Sequence, residues 1–322
     1  MSARPELRLP EVVELSTLTT SDLDPLFHEE IGIWDKRFKW DFRPSADLLR
    51  RFIQVHSLYG YALVSGKEVV GYTYHVCEGR KGLIGDFFLR PDHSTPANEM
   101  MLLGATVQGL MLISGVRRIE SQLMLLRMPL SQPLPFSRHL MRHDRSFMEI
   151  GRPAIVRLAP QLPEINVTFH QWAERYSEEI AHLVSAAYRG HVDSEINDQY
   201  RTIPGARHFL TNIVRFPGCG TFSASASTLA VDDRSGRVCG ACLASIVSAK
   251  AGHVTQLCVL PGIRGARLGY ELLRQALVRM VDAGCTTVSL TVTSSNRDAI
   301  RLYESVGFKA QSSFPALVWE GF

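Results

Sequence analysis

The sequence lacks what a nucleic-acid or membrane protein would need. Its 35 Lys and Arg against 32 Asp and Glu leave a formal net charge of only +3 over 322 residues. That is too little to hold a phosphate backbone, so any basic site must be local. No apolar run reaches the ~20 residues that span a bilayer. The uncharged stretch Met100–Val116 is shorter and carries Thr106, Gln108, Ser114 and three glycines, which predicts a buried helix. The N-terminus, MSARPELRLPEVVEL, has no apolar core of signal-peptide length, and a cytoplasmic location is expected. Cysteine is scarce. The six thiols (77, 219, 239, 242, 258, 285) lie mostly in apolar runs, which excludes a disulfide framework. Hydrophobic content of 45% with 21% charge is ordinary globular composition, enough for two domains with their own cores.

What is present centres on His253–Gly269, HVTQLCVLPGIRGARLG. His253, Thr255, Leu257 and Val259 alternate with Val254, Gln256, Cys258 and Leu260, which predicts a two-faced strand ended by Pro261-Gly262. Leu268, Leu272, Leu273, Ala276, Leu277, Met280 and Val281 then recur at helical spacing, and Ala283-Gly284 supplies a stop. A helix opening straight after Arg264-Gly265-Ala266-Arg267 aims unpaired N–H groups and its positive dipole end over that turn. This is a place for phosphate.

The order of elements repeats. Gly71, Gly82 and Pro91 match Gly240, Gly252 and Pro261 at offsets of 169–170, and the segments 114–123 and 283–292 align at 169. An internal duplication follows, with two α/β units divided as residues 1–160 and 161–322 and a linker near Pro160–Pro163. Each unit is expected to be a mixed, mostly antiparallel sheet flanked by helices. Within the first, helices are predicted over Ser21–Phe38 and Ser45–His56, with Ser21 and Ser45 as N-caps, and a strand over Phe147–Leu158. The copies differ in chemistry. Arg264, Arg267 and Gly269 fall on Ser94, Ala97 and Glu99, so the first copy keeps the frame and has a carboxylate where a phosphate would lie.

A strand ending V-L-P, then R-G-A-R-L-G, an amphipathic helix, the strand TTVSLTV and N-x-x-x-I-x-L-Y-E-x-V-G-F resembles the acyl-CoA-binding core of the GNAT N-acetyltransferase superfamily. The resemblance covers about residues 165–322 and is strongest over 253–310, with the first half similar to a degenerate second copy. Arg267 stands where the family's cofactor turn has its inner glycine. The resemblance implies acetyl-CoA as co-substrate, its pyrophosphate cradled by Arg264, Gly265, Ala266, Arg267, Leu268, Gly269 and Tyr270. It also implies that the pantetheine arm pairs along Leu257, Cys258 and Val259, with Asn296 nearby, and that Tyr303 is the acid protonating the leaving thiolate.

For the base, His253 is the candidate, sharing a face with Thr255 and Leu257; the competing reading is a histidine that only caps or solvates the strand end. His191, Asp193, Glu195 and Asp198 form a polar loop able to hold a cationic amine, or merely a solvated one. Metal is not expected. Cys239 and Cys242 stand i, i+3 on a strand and so face opposite sides, and the helical i, i+4 pair His139 and His143 is crowded by arginines. The expected activity is direct acetyl transfer to a primary amine of a small molecule or peptide. Nucleic acid and membrane are not expected partners, and homodimerisation stays open. A non-catalytic acyl-CoA sensor and an aminoacyl-tRNA-dependent transferase are the alternatives.

Overall fold

A computed structural model describes residues 10–128, 132–216 and 218–322. In chain order the elements are β1 (Glu11–Glu14), α1 (Thr20–Phe38), α2 (Arg43–Gln54), β2 (Tyr59–Ser65), β3 (Glu68–Glu78), β4 (Lys81–Leu89), α3 (Pro96–Leu112), β5 (Arg118–Gln122) and β6 (Leu140–Gly151). Then follow α4 (Arg152–Ile155), β7 (Val167–Gln171), α5 (Ser177–Ala187), α6 (Asp193–Ile196), α7 (Ile203–Arg215), β8 (Thr221–Phe222) and β9 (Thr228–Asp232). The chain finishes with β10 (Val238–Ser248), β11 (Ala251–Val259), α8 (Leu268–Asp282), β12 (Thr287–Thr293), α9 (Arg297–Val306) and β13 (Lys309–Glu320). Several expectations shift. Ser21 and Ser45 sit inside their helices rather than capping them, and the strand expected over Phe147–Leu158 ends at Gly151, where Pro153 opens α4.

Two compact units result, but they are not the contiguous halves 1–160 and 161–322. Unit 1 comprises Met1–Arg37, Phe42–His143 and Phe314–Phe322; unit 2 comprises Phe38–Asp41 and Asp144–Ser313. Unit 1 has strand order β1-β2-β3-β4-β5 and then the Phe314–Glu320 part of β13, which lies antiparallel to β5. Unit 2 runs from the Asp144–Gly151 part of β6 through β12, β11, β10 and β9 to β7. Among the described residues, one neighbouring pair in each unit is parallel, β4 with β5 and β11 with β12. Each unit therefore takes a strand from the other half of the sequence.

The duplication is visible in atomic detail. A Cβ on Gly82 would lie 2.7 Å from Leu110 of α3, and one on Gly252 would lie 2.4 Å from Met280 of α8. Leu110 and Met280 are themselves 170 apart, so both units pack their long helix against the same glycine of the same strand. The irregularities repeat too: β4 carries an extra residue at Gly85 opposite β3, and β11 carries one at Thr255 opposite β10. Unit 1 buries α3 under β2–β5, with Leu134 and Pro135 of the proline-rich segment against its outer side. The remainder of that segment, residues 129–131, lies outside the described residues. Among the described residues, no helix is long and apolar enough to cross a membrane.

Unit 1 fills the position that corresponds to Gly269 with a buried carboxylate. Glu99, 1% exposed in the first turns of α3, accepts from Ser94 Oγ at 2.5 Å, Met128 N at 2.5 Å and Arg127 N at 3.2 Å. At the Gln256 position stands Asp86, 3.5 Å from the Tyr72 hydroxyl, which donates at 2.8 Å to Glu30. Burial, and then the charge of Asp86, hold the Glu30 carboxyl well above the usual carboxylate range. The Glu99 network makes a prediction. Glu99→Ala leaves two amides without their acceptor and is expected to cost about 1–3 kcal/mol, read by urea unfolding of the whole chain. An unchanged midpoint would show that water satisfies those amides as well as the carboxylate does.

Candidate active site

The site is assembled wholly within unit 2, where two strands part. β11 and β12 pair in parallel from Ala251↔Thr287 to Val254↔Leu290 and no further. Beyond that, β11 stays with β10 as far as Val259, and β12 stays with β6 as far as Thr293. The gap holds a cavity of about 840 Å³, lined on one side by Val254–Val259 and on the other by Leu290–Val292.

At one end lies the basic turn. Pro261–Ile263 forms a single helical turn, Gly265 takes φ +87°, and Arg267 precedes α8 at φ 59°, ψ 2°. Arg267 therefore occupies a left-handed conformation that favours glycine, the residue the resemblance leads one to expect there. It lines the cavity, and its Nε lies 3.4 Å from Glu164, with both side chains more than half exposed, so that pair contributes little. Arg264 donates to the Ala187 carbonyl at 2.6 Å, meeting the negative end of α5. The first amide to bond back within α8 is Glu271 N, to Arg267 O at 3.2 Å. The Leu268, Gly269 and Tyr270 amides precede that first bond and have no acceptor within the helix. Gly265, Gly269 and Tyr270 line the cavity, whereas Leu268 is core and Ala266 is set back. The Tyr270 hydroxyl ties the linker down through the Ala159 carbonyl at 2.9 Å.

Tyr303 enters from α9. Asn296 caps that helix by accepting from Ala299 N at 3.2 Å, and Gly307 at φ 108° ends it, with Phe308 packed on the Tyr303 ring. The phenol lines the cavity, and among the described residues its hydroxyl has no hydrogen-bond partner. Burial above all, then Cys242 and the charge of Asp193, raise its pKa above the ordinary tyrosine value. Tyr303 is thus a phenol that keeps its proton.

Residues 188–201 build a further part of the cavity wall. His191 and Asp193 line the cavity; Glu195 is exposed on α6 and does not. Asn296 Nδ2 lies 3.2 Å from His191 Nε2, and Asp193 accepts from the Thr293 hydroxyl. Tyr188 and Tyr200 stack at 4.6 Å and complete the wall with Arg145 and Gln256. Sequence reading missed Tyr188, Tyr200 and Arg145, which carry no local pattern.

It also misjudged the faces of β11. The extra residue at Thr255 inverts the alternation, so Val254, Leu257 and Val259 pack toward α8 while Cys258 joins the core under α5 and α7. His253 does not share the Leu257 face. It is 4% exposed, held by Ser289 Oγ at 2.9 Å and by the Trp40 ring at 4.9 Å, and is absent from the cavity lining. Burial, then Arg145, push its pKa down to about 3, so the ring is uncharged at neutral pH. This geometry removes it from contact with a substrate. Cys258 is pushed up to about 12, chiefly by burial. A similar irregularity beside Cys239 sets Cys239 and Cys242 in one apolar core, against the expectation of opposite faces. His139 ends a 3-10 helical turn and His143 lies on β6, so the two do not share a helix face. Among the described residues no cluster suited to a metal ion forms.

Residues 194–308 match the model of the acetyltransferase (GNAT) family. The matched residues lie wholly within unit 2. Over 57 residues, 18% of the chain, it is 35% identical to the N-alpha-acetyltransferase MAK3 of Arabidopsis thaliana, and the match spans 30% of that protein. Among solved structures, a tandem GNAT protein from the clavulanic acid biosynthesis pathway aligns over 97% of this chain and 98% of its own, at TM-score 0.59 and 15% identity. A GCN5-related N-acetyltransferase from Sphaerobacter thermophilus aligns over 96% and 95%, at TM-score 0.62 and 16% identity. These two likenesses concern the fold and run over both units; the cavity described above belongs to unit 2.

Proposed function

We propose that the chain is a cytoplasmic acyltransferase that moves an acetyl group from acetyl-CoA directly to a primary amine of a small molecule or peptide. One observation carries this reading. An amide-rich basic turn, an unpaired strand edge and a protonated phenol open onto a single cavity. The pyrophosphate would sit on the N–H groups of Gly265 and Leu268–Tyr270. The pantetheine arm would run along the open edge of β11 beyond Val254, and an N–H of that edge would hold the thioester oxygen as it gains charge. The amine, steadied by Asp193 and His191, attacks the carbonyl carbon as a neutral nucleophile, having released its first proton to water in the cavity. A C–N bond forms, the C–S bond breaks, and Tyr303 gives its proton to the departing thiolate. The amide nitrogen sheds its second proton to solvent, which restores the phenol. Unit 1, with Glu99 in the phosphate position, would hold no cofactor of its own.

Calorimetry with acetyl-CoA on the wild type and on Gly269→Glu tests the site. A Cβ at Gly269 meets only Leu302 at 3.6 Å and Val259 at 3.9 Å, so the substitution is tolerated sterically and places a carboxylate where the first copy has one. The expected result is binding by the wild type and at least a tenfold loss in the variant, by charge repulsion with phosphate (about 1.4 kcal/mol or more). Equal binding by both would move the cofactor elsewhere.

A further inference from the structure

The cavity holds a donor that the cofactor reading leaves unused. Gln256 is 5% exposed and lines the cavity. Tyr200 engages one end of its amide, the hydroxyl lying 3.4 Å from Oε1. The other end, Nε2, has no hydrogen-bond partner among the described residues. A buried amide donor left unpaired is costly, and such groups in native interiors mark a missing partner. The extra residue at Thr255 is what brings this side chain to the cavity, so the fold presents the donor by a specific local device.

Two charged side chains line the same space. Arg145, on β6, donates through Nη2 to the Thr291 carbonyl at 3.3 Å and hydroxyl at 3.2 Å. Its charge reaches both Tyr200, which holds Gln256, and Tyr303, each of whose pKa values it opposes raising. Asp193 supplies the opposite charge and is itself fixed by Thr293. Tyr200, bonded to Gln256, feels both charges, and a cation, an anion and a neutral donor in one cavity complement a zwitterion better than a simple amine.

We propose that Gln256 and Arg145 select an acceptor whose amine is accompanied by a carboxylate, that is, an amino acid. The inference rests on the acyl-transfer reading. Gln256 Nε2 donates to one carboxylate oxygen, Arg145 provides the positive field for its charge, and Asp193 steadies the ammonium before it is deprotonated. Both are specificity residues, acting on the acceptor and not on the thioester.

The test is a panel of free α-amino acids, their decarboxylated amines and short peptides with free N-termini, assayed by CoA release. The expected result is at least one free amino acid with kcat/KM tenfold or more above both its amine and the peptide it begins. Gln256→Glu and Gln256→Met are expected to lower kcat/KM for that amino acid at least tenfold, mainly through KM, with acetyl-CoA affinity unchanged. Amines or peptides used as well as free amino acids would overturn the inference, as would indifference to both substitutions. So would acetyl-CoA binding without turnover of any panel member. Failure of the wild type to bind acetyl-CoA would instead overturn the acyl-transfer reading beneath it.

Discussion

Tyr303→Phe is expected to lower kcat for acetyl transfer by about 10²–10⁴-fold and to leave acetyl-CoA affinity within twofold. The substitution removes one hydroxyl and keeps the ring that packs on Phe308 at 5.9 Å, so α9 and the cavity wall survive. What is lost is the proton donor for the departing thiolate. The sign of the pH effect follows from the direction of the shift. Because the phenol's pKa is raised, the wild-type acid stays loaded through neutral and mildly alkaline pH. Its contribution should fade only above the ordinary tyrosine range, near pH 10. Steady-state kinetics from pH 7 to 10 on both proteins would check this. A variant with wild-type kcat across that range would mean that water, and not Tyr303, protonates the thiolate.

The second large effect concerns stability. His253 falls from an ordinary 6.5 to about 3 on folding. Between those values the unfolded chain binds a proton that the folded chain refuses. The stabilisation is fully present above pH 6.5 and is lost as pH falls toward 3. For a fully buried group this amounts to several kcal/mol, on the order of 4. The expected observation is a steep fall in melting temperature between pH 7 and 4 that is markedly shallower in His253→Gln. Equal slopes would assign acid loss to other groups. The acid limb of the kcat profile is expected to be the same in both proteins, because His253 stands outside the cavity.

What was legible in the sequence was whatever depends on near neighbours. The turn 261–269 and the helix behind it follow from proline, glycine and a 3.6-residue period, and each stands where those signals put it. The duplication was legible for the same reason, since glycines that admit a helix onto a strand stay glycine in both copies. Strand faces were not. Period-two alternation cannot foresee an inserted residue at Thr255, and that single insertion moved His253 away from the Leu257 face. Tyr188, Tyr200 and Arg145 were invisible because a cavity wall is made by folding from distant segments. Division of the chain into its two halves failed for a related reason: nothing local in residues 140–151 or 314–320 records which sheet each will join.

That trade of strands has a consequence for how the protein is made. Trp319 is fully buried, in the core of unit 1, and Leu317 accepts a hydrogen bond from Ser121 across 196 residues. A ribosome delivers β5 long before it delivers the strand that covers it. The first unit must therefore wait, with the edge of β5 open, until residues 314–320 have been synthesised, so its closure comes after the residues of unit 2 have been made.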